Sequence, residues 1–128
     1  MLLVEDDAAV RRSLQLLLSS DGYDVRAYPS AVGLANDPEA LRAECLVADL
    51  IMPHKGALEL LGELRAAGWG APAILISGHL SEETRKLART QGFDMILAKP
   101  IPDASLSKAI ELLLQRPRSG ASCGEALA

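Results

Sequence analysis

Cys45-Leu46-Val47-Ala48-Asp49-Leu50-Ile51-Met52-Pro53 is the stretch whose reading decides the fold. An apolar run without alternation enters a lone acid, and Pro53 ends any regular structure four residues later. Such a run reads as a strand buried on both faces, because neither face is left polar for water. Asp49 then lies at the carboxyl end of that strand, the rim where open α/β sheets bind their ligands.

Working outward, the same grammar repeats. Leu2-Leu3-Val4 is a short apolar strand running into Glu5-Asp6-Asp7. Val10, Leu14, Leu17 and Leu18 then recur at helical spacing, with Asp7 placed to cap the helix and Gly22 after its end. Asp24 to Ala27 alternates and reads as a half-exposed edge strand, and a weak helix is expected over Ser30 to Asn36. Pro38 to Glu44 reads as connection with at most a helical turn. After Asp49, Leu58, Leu61 and Leu64 predict a helix closing at Gly68, and Trp69 a partly buried turn residue. Ala73 to Ile76 is a buried strand ending in Ser77-Gly78. Ser81 caps a loosely held helix anchored by Leu87 and Ala88 and ended by Gly92. Met95 to Ala98 reads as a last buried strand ending in Lys99-Pro100. Leu106, Ile110, Leu113 and Leu114 mark the final helix. Strands alternating with helices imply a doubly wound α/β fold, a parallel sheet with helices on both faces. One domain over residues 1–116 is expected, with 117–128 as a flexible tail or linker.

Composition narrows the function. The 128 residues are 49% hydrophobic, enough for a packed core, and only 3% aromatic, so that core is aliphatic. A formal charge of −4 argues against nucleic-acid binding by bulk electrostatics, and no Lys/Arg cluster offsets it. No apolar run approaches the ~18 residues of a membrane span, and no signal-peptide pattern is present. Cys45 opens a buried strand and Cys123 falls in a polar tail, so no disulfide is expected and a cytoplasmic location fits.

The residues that follow each strand form a constellation: Glu5 and Asp6, then Asp49, then Ser77, then Lys99. In a parallel sheet these ends share one rim, so three acids, a hydroxyl and an ammonium converge. Carboxylates held together repel unless a cation compensates. Mg²⁺ suits such a set, since it takes oxygen ligands and keeps positions for water and phosphate oxygens. Asp49 could then attack phosphorus as a carboxylate nucleophile. Lys99 and backbone amides after Asp49 would hold the phosphoryl oxygens, and Ser77 would donate to one of them. His54 and His79 fall on loops near this rim, and a transition-metal site with Asp49 is the alternative they raise.

Leu3-Val4-Glu5-Asp6-Asp7, Asp49-Leu50-Ile51-Met52-Pro53, Ile76-Ser77-Gly78 and Ala98-Lys99-Pro100 resemble, in order and spacing, the receiver domain of two-component response regulators, the CheY-like family. The resemblance implies a five-stranded sheet of order 2-1-3-4-5 with five helices, a three-layer sandwich. It implies Asp49 as the site phosphorylated from a sensor histidine kinase or a histidine phosphotransfer domain. It implies Asp6, Asp49 and the Ile51 carbonyl as Mg²⁺ ligands, with Glu5 acting through water, and a cis peptide before Pro100. It implies a switch pairing Ser77 with position 96, and an output face on the Ser81–Gly92 helix, the last strand and the last helix, the last two being where a homodimer could form. Such a domain is not an enzyme beyond assisting its own phosphorylation and dephosphorylation.

Three positions depart from the family pattern. Glu5 stands for the commoner Asp, Ala57 stands where Gly is usual with Gly56 one residue early, and Ile96 stands where an aromatic ring is usual. Isoleucine cannot make the ring swing that relays the signal. Two other readings follow: an interaction module that works without phosphorylation, and the receiver portion of a hybrid sensor kinase. A phosphatase with an aspartyl nucleophile would want a second acid two residues on, where Ile51 stands.

Overall fold

The computed structural model describes residues 1–50, 52, 55–78, 80–101 and 103–115. Five strands run β1 (Leu2–Val4), β2 (Arg26–Tyr28), β3 (Leu46–Asp49), β4 (Ala73–Ser77) and β5 (Met95–Ala98). All pair in parallel, in the order β2-β1-β3-β4-β5. Among the described residues there are four α-helices: α1 (Ala8–Ser20), α2 (Ala57–Ala66) and α3 (Glu82–Gln91) lie between strands, and α4 (Asp103–Gln115) follows β5.

The strands sort their side chains by the two-residue period of a pleated sheet. Leu3, Val47, Ile74 and Ile76 face one layer, where they meet Leu14 and Leu18 of α1 and Leu106, Ala109, Ile110 and Leu113 of α4. Leu2, Val4, Leu46, Ala48, Ala73 and Leu75 face the other, against Leu60, Leu61 and Leu64 of α2 and Ala88 of α3. Every residue of β1, β3 and β4 is buried, as the unalternated apolar runs predict.

Local chemistry sets the helix ends. Asp7 caps α1, its carboxylate accepting from the Ala9 and Val10 amides at 2.9 and 3.2 Å. Ser81 caps α3 by accepting from the Thr84 amide at 3.1 Å, and Glu82 and Glu83 favour its positive end. Gly92 ends α3 at φ +117°, a left-handed conformation that costs a side-chain-bearing residue.

The structure corrects the sequence reading in five places. The helix expected over Ser30–Asn36 is a single 3-10 turn, Leu34–Asn36, followed by another at Ala40–Arg42, so among the described residues four α-helices stand where five are implied. Gly33 at φ +81° and the extended Asp37 before Pro38 leave room for no more. The second strand covers Arg26–Tyr28 rather than 24–27, because its pairing begins with Arg26 opposite Leu2. β5 is not a buried strand but the far edge of the sheet, half-exposed along Met95–Leu97 and exposed at Ala98. In α3, Ala88 is buried but Leu87 is 53% exposed, so only one of the two expected anchors packs. Trp69 is buried rather than partly so. Its Nε1 donates to the Ala43 carbonyl at 2.9 Å, and the Arg65 guanidinium lies 4.9 Å from its ring centre.

Candidate functional site: an acidic rim with one lysine

Parallel strands deliver their carboxyl ends to one edge, and there the structure brings the acids together. One carboxylate oxygen from each of Glu5, Asp6 and Asp49 lies within 4.8 Å of the others. Glu5 and Asp49 are buried, while Asp6 is exposed. Lys99 reaches in from the end of β5: its Nζ donates to Glu5 Oε1 at 3.0 Å and to Asp49 Oδ2 at 2.8 Å. The peptide bond between Lys99 and Pro100 is cis. Ser77 is buried at the end of β4, one residue past Ile76, which stands opposite Asp49. Its carbonyl accepts the Lys99 amide at 2.8 Å, which ties the strand ends carrying hydroxyl and ammonium to each other.

Glu5 is held from several sides. Its amide donates to the Tyr28 carbonyl at 3.0 Å, and its second carboxylate oxygen accepts the Asp7 amide at 3.1 Å. Burial pushes the Glu5 carboxyl above its ordinary value. The Asp7 amide and the Lys99 ammonium pull it back, and the Asp49 charge adds to the rise. For Lys99, desolvation is the largest single influence and lowers its value. Its hydrogen bonds to Asp49 and Glu5 and their negative charges together outweigh that, so the ammonium is held above its ordinary value.

Arg11 is the residue that sequence reading passed over. Its guanidinium Nη1 donates to the Glu5 carbonyl at 3.0 Å, reaching back from α1 to the end of β1. Glu5 follows a strand and Arg11 lies on a helix, so no single periodicity relates them.

Gly56 and Ala57 mark the start of α2. Gly56 precedes the helix in extended conformation, and Ala57 is buried as its first residue. A Cβ at Gly56 would stand 3.2 Å from the Leu50 carbonyl, so this place suits glycine. Ile96 is partly buried against the α2–α3 layer of the core. Ile51, His54, His79 and the 117–128 tail lie outside the described residues.

A parallel sheet of order 2-1-3-4-5 with its acids at the carboxyl rim defines the CheY-like receiver class. The family model for the response regulator receiver domain matches residues 1–111, and the chain belongs to that family, the receivers of two-component systems. It is 37% identical over 117 residues to the transcriptional regulatory protein FixJ of Azorhizobium caulinodans, covering 88% of this chain and 54% of that protein. It is 36% identical over 125 residues to the response regulator MprA of Mycobacterium leprae, covering 92% of this chain and 52% of that protein. The chain thus spans about half the length of these curated relatives. The solved structure of FixJ-N is similar at 30% identity and a TM-score of 0.80, covering 90% of this chain and 92% of that one. The BeF3-activated receiver domain of Klebsiella pneumoniae RstA superposes at a TM-score of 0.82 over 90% of this chain and 97% of that one; at 23% identity it speaks to the fold alone.

The donor set fits the divalent cation that the fold implies. Three carboxylates offering hard oxygens within 4.8 Å of one another are the ligands Mg²⁺ prefers. Among the described residues no helix is long and apolar enough to cross a membrane.

Proposed function

We propose that residues 1–116 form a phosphoacceptor receiver that takes a phosphoryl group onto Asp49 from a phosphohistidine. The observation that carries this reading is the placement of Asp49, buried at the end of β3, between one ammonium and two further acids. Asp6 and Asp49 would hold Mg²⁺ directly, joined by the Ile51 carbonyl, with Glu5 acting through water. A cation bound there supplies positive charge to offset the phosphoryl oxygens and fixes their position. The chain's own residues do the rest. An Asp49 carboxylate oxygen attacks phosphorus while the nitrogen–phosphorus bond of the donor breaks, and the leaving imidazole keeps the electron pair and takes a proton. Lys99 exchanges a carboxylate partner for a phosphoryl oxygen. Ser77, at the neighbouring strand end, donates its hydroxyl to another. The chain assists its own loading and hydrolysis and turns over no other substrate.

The donor is a sensor histidine kinase or histidine phosphotransfer domain, and the output is a partner or an attached domain. Half-exposed β5, with Leu87 on α3 and Leu112 on α4 exposed, offers apolar surface for that output, a homodimer included. The reading carries no direct nucleic-acid contact by this domain and a cytoplasmic setting.

The test is incubation with a small-molecule phosphodonor and Mg²⁺, followed by intact-mass spectrometry. A phosphoryl adduct on the wild type that vanishes in Asp49→Asn is the expected result. No adduct on the wild type, or an undiminished one on the variant, overturns the proposal.

A further inference from the structure

The Glu5 carbonyl and the Asp6 amide belong to one rigid peptide unit. Arg11 grips that unit through the carbonyl at 3.0 Å, while the Tyr28 carbonyl holds the preceding amide at 3.0 Å. Glu5 is further fixed by Lys99 and by the Asp7 amide. Asp6 is exposed, so packing does little to aim its carboxylate, and the orientation of its backbone matters more. The Arg11 side chain is itself part-buried and springs from α1, whose first turn is locked by the Asp7 cap. Its planar guanidinium presents donors in a fixed fork, so less freedom is lost per hydrogen bond made.

We infer that Arg11 is a positioning residue for the cation site: it sets the plane of the Glu5–Asp6 peptide and through it the direction of the Asp6 carboxylate. The inference rests on the proposed cation site. It also makes a claim of opposite sign to simple electrostatics. A positive charge beside an acidic pocket repels a dication, so if charge were all Arg11 contributed, its removal would tighten cation binding. If it positions Asp6, its removal loosens binding.

The experiment is a titration of the full chain with Mn²⁺, free ion being read by its paramagnetic resonance signal, for wild type, Arg11→Ala, Arg11→Gln and Arg11→Lys, each checked for folding by circular dichroism. Arg11→Ala is expected to bind about three- to tenfold more weakly, the size of one net hydrogen bond. Arg11→Lys, which keeps a donor and the charge, is expected to recover part of the affinity. Arg11→Gln, which keeps a donor without the charge, separates the two influences and is expected to bind more tightly than Arg11→Ala. Unchanged or tighter binding by a folded Arg11→Ala overturns the inference while leaving the cation site standing. If Arg11→Ala does not fold, Arg11→Gln and Arg11→Lys carry the test, and wild-type affinity in both with no shift of Asp6 resonances overturns it. Absence of Mn²⁺ binding by the wild type removes the underlying site, a distinct result.

Discussion

Lys99 stands between two buried acids, 3.0 Å from Glu5 and 2.8 Å from Asp49, and a neutral side chain there would leave the acids facing each other. Breaking a buried ion pair so that the remaining charge has nowhere to go costs about 3–5 kcal/mol, and less where solvent reaches one partner, as it does for Lys99. The Lys99→Met variant should lose stability of that order at pH 7 in urea unfolding without divalent ions. It should lose less at pH 4, where Glu5, its carboxyl raised by burial, takes up a proton more readily, and millimolar Mg²⁺ should return part of the loss. Glu5 gives a second expectation. A carboxyl raised above its ordinary 4.5 in the fold contributes stability that is present below that value and lost as pH rises through the folded value. In cation-free buffer the stability of Glu5→Gln relative to wild type should therefore grow from pH 4.5 towards neutrality. A difference that shrinks over that range would contradict the sign.

The helices differ in how firmly they are held, and the difference follows from what each can bury. α2 sets Leu60, Leu61 and Leu64 into the core, whereas α3 buries Ala88 alone. α3 depends correspondingly on its ends: the Ser81 cap, Gly92, a Gln91 side chain donating to the Leu58 carbonyl at 3.0 Å, and Arg65 donating to the Gly92 carbonyl at 3.4 Å. Losing an N-cap costs about 1 kcal/mol. Ser81→Ala should show that cost chiefly as faster amide exchange across Glu82–Gln91, with α1 and α2 little changed. At this scale the sequence was legible where burial is symmetric. The runs at Leu46–Ala48 and Ala73–Ile76 are apolar on both faces and can only be inner strands. Met95–Leu97 reads the same way, yet lies at an edge, because an edge covered by helices needs the same residues and only topology tells the two apart. Leu87 failed as an anchor because the helical phase of α3 turns the small Ala88 inward instead. The rim was legible because chain direction places every strand end together, which put Glu5, Asp6, Asp49 and Lys99 on one list. Arg11 was not, since its contact depends on how a long side chain folds back.

Taken whole, the molecule stores its repulsion at one rim and its packing everywhere else. A dication that binds the folded pocket and not the unfolded chain stabilises by mass action. Thermal unfolding should therefore shift upward with added Mg²⁺ and fall back with chelator, and the shift should be lost in Asp49→Ala. A midpoint indifferent to Mg²⁺ over the millimolar range would remove the cation from the account.

Trp69 has the opposite address. It is the sole tryptophan of the chain, buried to 4% exposure, and its Nε1 bonds the Ala43 carbonyl just ahead of β3. Asp49 closes that same strand, whose four residues put roughly 10 Å between the two ends at about 3.3 Å per residue. The indole is thus a lamp mounted at the end of β3 opposite the acids. Its emission should redden when the sheet comes apart and stay dark to whatever occupies the acids, so one optical trace can follow unfolding while the chemistry is varied independently.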